Sequence, residues 1–290
     1  MGSACTRACH SHRALSKLFT GTKIPNGSAK EWSFDHLCLF PSGGPRPALF
    51  GIAPDSTILW RNYDPLPGNH SDLARLATDD SGHILLAWYD TTPRGLHTRL
   101  FDSQGKVVWT EQVAALPWSD EVQERDELQR INLLFWPRRG WVVAYSTFHR
   151  AVVQLLDAQG QKRWKEGVNL VSKPNDDNPI SLIQDSPNSI LVLWYEHGFM
   201  NKPPTKSAFR AQRIDAQGGL LWPESVVVGE APDFAMTTPR EIKLVLLPDS
   251  QVRADLYRGI AGDAVRQITE YQAVINAQGQ VQIELAPNDK

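Results

Sequence analysis

The residues of this chain with chemistry to offer gather at a few comparable points. Tyr89-Asp90, His149-Arg150, Tyr195-Glu196-His197 and Tyr257-Arg258 each set a ring beside a charge, and each follows a short apolar run. Charged groups drawn from equivalent points of a repeated unit can form one polar patch. The third point runs on into His197-Gly198-Phe199-Met200-Asn201-Lys202-Pro203-Pro204, a proline-stiffened loop that offers Phe199 and Met200 for protein contact. The candidate binding set is therefore Asp90, Arg150, Glu196, His197, Phe199, Met200 and Arg258. The chain carries no Gly-x-Ser-x-Gly, no His-Glu-x-x-His, no Walker loop and no dinucleotide fingerprint. No catalytic residue follows from motifs of that kind, and no cofactor. Cys5, Cys9, His10 and His12 are too compressed for a zinc finger and lack a second ligand pair, so no metal site is expected.

The elements that must position these residues announce themselves by repetition. Asp102-Ser103-Gln104-Gly105, Asp157-Ala158-Gln159-Gly160, Asp215-Ala216-Gln217-Gly218 and Asn276-Ala277-Gln278-Gly279 recur at near-even intervals. Trp109, Trp164 and Trp222 stand four residues beyond the first three glycines, and Ile283 holds that place in the fourth. An Asx side chain bonds its own backbone and Gly supplies positive φ, so each phrase predicts a hairpin tip. A second hairpin precedes each one. His83 to Trp88, Trp141 to Tyr145, Ile190 to Trp194 and Val252 to Tyr257 read as short buried strands that leave a turn. Each unit is four strands, and a degenerate copy lies at the front, with Ile58-Leu59-Trp60 as its exit.

Repeated four-stranded units predict an all-β β-propeller of five four-stranded blades. The blades are expected at 31–62, 72–112, 129–168, 178–226 and 238–286, behind a flexible arm at 1–30. The tryptophans at 60, 88, 109, 164, 194 and 222 hold matching places in strands and are read as blade-to-blade packing, not as a sugar-stacking platform. Residues 111–130 form an acidic insertion with a short helix capped by Ser119 or Asp120. Cys38 reads as a small buried hydrophobe.

Charge and hydropathy narrow the partners. A formal charge of −2 gives no field for nucleic acid. No apolar run approaches the ~18 residues of a membrane span. No signal peptide is visible, and a lipid anchor at Cys5 rests only on a weak terminal pattern.

Two resemblances add to this reading. Ala211-Gln212-Arg213-Ile214-Asp215-Ala216-Gln217-Gly218-Gly219-Leu220-Leu221-Trp222, with Trp164-Lys165-Glu166-Gly167-Val168, resembles a bacterial propeller repeat of Asp-x-x-Gly-x-x-x-Trp blades. It is also similar to the quinoprotein-like repeats of outer-membrane assembly scaffolds. The likeness spans about residues 70 to 285 and implies an envelope or periplasmic protein, with the cytoplasm as the place if the terminus is native. The second is Trp60-Arg61-Asn62-Tyr63-Asp64-Pro65-Leu66-Pro67-Gly68-Asn69, which resembles the Trp-x-Asn-Asp-Pro-x-Gly start of five-bladed fructan and sucrose hydrolases. There the Asp is the nucleophile. Here Tyr63 interrupts the motif, Pro67 displaces the Gly, and the family's Arg-Asp-Pro and Glu-Cys partners do not occur. The expectation is a non-catalytic protein-binding or scaffold propeller, of the inhibitor or immunity type, meeting another protein through its rim loops. The alternative is a glycoside hydrolase using Asp64, with Glu196 as the second carboxylate.

Overall fold

Apolar runs separated by Asx–Gly tips leave the chain little choice but antiparallel meanders. The computed structural model describes residues 49–52, 57–62, 66, 70–91, 94–115, 128–147, 150–170, 180–196, 208–230, 239–258 and 269–285. The expected arm at 1–30, the helix within 111–130 and Cys38 lie outside the described residues. The fold is an all-β β-propeller. Four of its sheets are four-stranded and run in chain order from first strand to last.

The chain divides into two compact units. The larger comprises residues 68–101 and 107–290 and holds the four complete sheets. Their strands are β3 (His70–Thr78), β4 (Ile84–Thr91), β5 (Arg94–Phe101) and β6 (Val107–Ala115), then β7 (Leu128–Trp136), β8 (Gly140–Thr147), β9 (Ala151–Leu156) and β10 (Val168–Asn169). The third sheet is β11 (Ile180–Ser186), β12 (Ser189–Glu196), β13 (Ala208–Asp215) and β14 (Val226–Glu230). The last is β15 (Pro239–Leu246), β16 (Val252–Arg258), β17 (Thr269–Ile275) and β18 (Val281–Leu285). The smaller unit comprises residues 1–67 and 102–106, and its sheet shows two described strands, β1 (Leu49–Ile52) and β2 (Ile58–Asn62).

Within the larger unit the first strands β3, β7, β11 and β15 pack in succession, so they are the innermost of their sheets. The second strands sandwich between neighbours. Leu85, Ala87 and Tyr89 pack on Trp141, Val143 and Tyr145, while Val142 and Ala144 pack on Ile190, Val192 and Trp194. Leu191, Leu193 and Tyr195 then meet Val252, Ala254 and Leu256. Strand β8 is therefore buried at every position. That explains why it reads as a continuous apolar run without alternation. Each fully buried large side chain is worth about 1.5–3 kcal/mol, so these interfaces, not the rim, hold the sheets together.

The repeated phrase has a second role beyond turning the chain. Asp102, Asp157, Asp215 and Asn276 each accept two backbone N–H bonds through one side-chain oxygen, from the residues two and four positions on. The tip so formed is a socket for a tryptophan. Trp109 Nε1 donates to the Ala158 carbonyl, Trp164 Nε1 to Ala216 and Trp222 Nε1 to Ala277, each from one sheet to the next. In the smaller unit Trp60 Nε1 makes the same bond to Ser103, at 2.9 Å. The glycine of each tip lies against the indole face. At Gly218, with φ +86°, an added Cβ would stand 3.0 Å from the Trp164 ring.

Gly218→Ala is thus expected to lose stability twice over, through left-handed backbone and through displacement of an indole. The backbone part alone is about 1–2 kcal/mol. A urea midpoint unchanged from the parent would contradict the socket.

The rest of the longest repeat phrase falls into place around that contact. Gln212 is buried, donating to the Trp222 carbonyl and accepting from the backbone N–H of Arg213 and of Trp222. Gln154 does the same for Trp164 one sheet earlier. Arg213 donates from Nη1 to the Ala277 carbonyl and from Nη2 to Ser250, both in the following sheet, and lies over the Trp222 ring. Its Nε is ion-paired with Asp185, which also accepts from the Ser189 hydroxyl at 2.6 Å. Asp185 reads from sequence as part of an Asp185-Ser186-Pro187-Asn188 turn. In the structure its side chain is fully buried, and the turn itself is only Pro187-Asn188.

Candidate functional site

Strand register decides which residues occupy equivalent points of the four complete sheets. The buried inner residues Ala74, Ile131, Ile180 and Ile242 pair with Trp88, Tyr145, Trp194 and Leu256. Two positions further along the second strands come Asp90, Thr147, Glu196 and Arg258. Three of these are expected members of the rim set. The fourth is a correction: Thr147, not His149-Arg150, is the counterpart of Asp90. The hairpin between β8 and β9 is shorter than its relatives, and Arg150 N donates to Thr147 Oγ1 inside it.

The set does not share one environment. Asp90 is 4 % exposed, at the end of β4 opposite His70 and Gly95. Glu196 is half-buried and ion-paired with Arg210 across the β12–β13 hairpin. Arg150 is exposed, and Arg258 closes β16 opposite Thr269. His197, Phe199, Met200 and Asp64 lie outside the described residues.

The approach to Asp64 is described on both sides, within the smaller unit. Trp60 and Asn62, both on β2, are bound to one tip: Asn62 Nδ2 donates to the Gly105 carbonyl at 3.3 Å. Leu66, two residues beyond Asp64, is buried, with 3 % exposure.

A second locus was not anticipated from sequence. One position inward from the buried inner residues stand Arg75, Asn132, Ser181 and Lys243, equivalent by register. Asn132 Nδ2 donates to the Ile180 carbonyl and Ser181 Oγ to Ile242, stitching each inner strand to the next. Arg75 makes a different bond, Nη1 to the carbonyl of its own neighbour Ala74 at 2.8 Å. Burial lowers its pKa, and the charge of Arg130 on β7 lowers it further. The one sequence signal was a cation inside Ala74-Arg75-Leu76-Ala77. Among the described residues no group of three or more His, Cys, Asp or Glu is placed to hold a metal. Nor is any described helix long and apolar enough to cross a membrane.

No protein-family model matches the chain, and no curated protein sequence does. Solved structures do. The polysaccharide lyase Uly1 superposes with a TM-score of 0.51 at 10 % identity, over 93 % of this chain and 76 % of that one. The α-L-arabinofuranosidase Arb93A of Fusarium graminearum gives 0.48 at 11 % identity, over 77 % and 69 %. A thermostable family-43 glycoside hydrolase gives 0.44 at 9 % identity, over 76 % and 75 %. The lyase, the one of these three above a TM-score of 0.5, is named as an enzyme acting on carbohydrate, and it stands against the expectation of a non-catalytic protein-binding scaffold.

Proposed function

We propose that the chain is a carbohydrate-active propeller that hydrolyses glycosidic bonds, with Asp64 as nucleophile. The observation that carries the reading is the Trp60-Arg61-Asn62-Tyr63-Asp64-Pro65 sequence, leaving a propeller strand whose Asn62 is held on the Gly105 carbonyl. The motif around Asp64 supplies the reaction type. The lyase matched over most of this chain has a polysaccharide as its substrate, the same class.

In a retaining hydrolysis the carboxylate attacks the anomeric carbon while a second carboxyl, about 5–5.5 Å away, protonates the departing oxygen. Water then releases the sugar from the enzyme ester. Tyr63, inserted into the motif, lies next to Asp64 in sequence and is the first specificity residue to vary. The test is a panel of aryl glycosides and polysaccharides, assayed with the parent and Asp64→Asn side by side. Turnover by the parent that Asp64→Asn retains in full would exclude this assignment.

A further inference from the structure

We propose that the β4–β5 hairpin end of the larger unit carries a saccharide-hydroxyl subsite, built from Trp88, Asp90, His97 and the Gln112 amide around Gly95.

Register sets these residues in rows on one sheet face. Trp88 pairs with His97 and His97 with Gln112, while Asp90 pairs with Gly95. The opposite face, with Leu85, Ala87 and Tyr89, is the one packed on the β7–β10 sheet. The Trp88 and His97 rings stack, with centroids 5.5 Å apart and planes inclined by 23°. Gly95 has no side chain to fill the place opposite Asp90, and Gln112 Nε2 lies 2.5 Å from where its Cβ would stand.

Hydrogen bonding then points to a ligand. Trp60, Trp109, Trp136, Trp164 and Trp222 each donate Nε1 to a backbone carbonyl. Trp88 does not. It is 1 % exposed, and its Nε1 is buried without a partner. His97 Nε2, on the ring stacked against it, is likewise buried without a partner. Buried polar atoms are costly to leave unmet, so two of them on one face call for a polar group from outside the chain. His97 and Gln112 are only half-buried, which gives that group a way in.

The side chains select what it is. Trp88 offers a donor, the Gln112 amide a donor and an acceptor, and His97 either one according to its tautomer. A carboxylate has about four acceptor sites, so Asp90 can take a hydroxyl beyond the contacts it already has. A hydroxyl donates and accepts at one oxygen and suits them all. An anion would meet Asp90, and a cation would meet the Trp88 donor and the Arg99 guanidinium, 5.9 Å from the Trp88 ring centroid. The matching row of the third sheet is closed. Trp194 Nε1 is also unmet there, but Arg210 opposite it is ion-paired with Glu196, and Ala208 stands where Gly95 does.

The hydroxyl half of the proposal stands on this face alone; that the hydroxyl belongs to a sugar rests on the carbohydrate reading of the chain. Purified parent, His97→Phe and Gln112→Leu are titrated with glucose, galactose, xylose and sodium glucuronate at constant ionic strength. The readouts are heat of binding, melting temperature and the Trp88 indole N–H cross-peak in nitrogen–proton NMR spectra. In the parent that cross-peak is expected to move saturably with at least one neutral sugar. His97→Phe keeps a ring against Trp88 and loses the nitrogens. It is expected to bind that sugar about tenfold more weakly, with a melting temperature unchanged or raised, where a merely structural histidine would lower it. Gln112→Leu should weaken binding likewise.

A Trp88 cross-peak unmoved by every neutral sugar overturns the subsite, as does equal affinity in His97→Phe and the parent. Should His97→Phe fail to fold, equal affinity in Gln112→Leu and the parent overturns it equally. Tighter binding of glucuronate than of glucose overturns the choice of a neutral hydroxyl. Sugar binding by a parent that hydrolyses no glycoside keeps the subsite and discards the hydrolase; hydrolysis with an unmoved Trp88 cross-peak does the reverse.

Discussion

Arg213→Ala should lose about 3–5 kcal/mol of stability, as read from urea midpoints at matched slope. The substitution does three things at once. It leaves the Asp185 carboxylate buried with only the Ser189 hydroxyl as a described partner. It removes two donations to the following sheet, at the Ala277 and Ser250 carbonyls. It also strips the guanidinium from the Trp222 face.

Magnitude decides which of these matters most. A neutral hydrogen bond nets about 1 kcal/mol, and a stacked cation about the same, whereas an uncompensated buried charge dominates. The double variant Asp185→Leu with Arg213→Met is the discriminating companion. It removes both charges and keeps volume, so it should recover much of the loss while still lacking the inter-sheet bonds. If the double variant is as unstable as Arg213→Ala, the carboxylate is not the source. The cost would then belong to the latch onto Ala277 and Ser250.

This latch marks where sequence reading succeeds and where it stops. Turns are written locally: one Asx oxygen and one left-handed glycine suffice, so all four tips were legible, whereas Trp164 and Trp222, expected in strands, precede exit strands that begin only at Val168 and Val226. Trp164 and Trp222 were read as packing residues because their place in the strand repeats, and the structure puts each on the next tip. Asp185 was misread for the opposite reason. Its neighbours Ser186, Pro187 and Asn188 look like turn, and its partner Arg213 comes from two strands later. Counting residues past an apolar run put His149-Arg150 level with Asp90. Register, fixed by hydrogen bonds between strands, puts Thr147 there. Arg75 was legible only as an oddity in an apolar strand, since the charge opposing it is supplied by the adjacent sheet.

Functional inference failed in the same place and for a related reason. A repeat reports the geometry of a blade, and a scaffold and a glycosidase share that geometry. Loops that differ between blades carry the chemistry, and they obey no period. The rim set illustrates the point. Asp90, Thr147, Glu196 and Arg258 share a register yet differ in charge and burial, so equivalence of place does not give equivalence of role.

Asp64→Asn is expected to lower turnover of an active glycoside by on the order of 10³-fold or more, with the melting temperature unmoved. The amide keeps shape and can still accept and donate hydrogen bonds, but it has no negative charge with which to attack an anomeric carbon or stabilise the oxocarbenium-like transition state. A merely structural Asp would give another pattern: lower stability, with KM and turnover drifting together. Asp64→Gly sharpens the distinction. It removes the carboxylate, and added azide can then displace the activated leaving group and form a glycosyl azide of inverted configuration. Recovery of rate with azide, and isolation of that product, would be the signature of a missing nucleophile. Retained activity in Asp64→Asn excludes it directly. Asn62→Ala offers an independent check, since it removes the donation to Gly105 while leaving the carboxylate intact. If holding Asp64 matters, Asn62→Ala lowers turnover without azide rescue, because the nucleophile is present and only its position has been loosened.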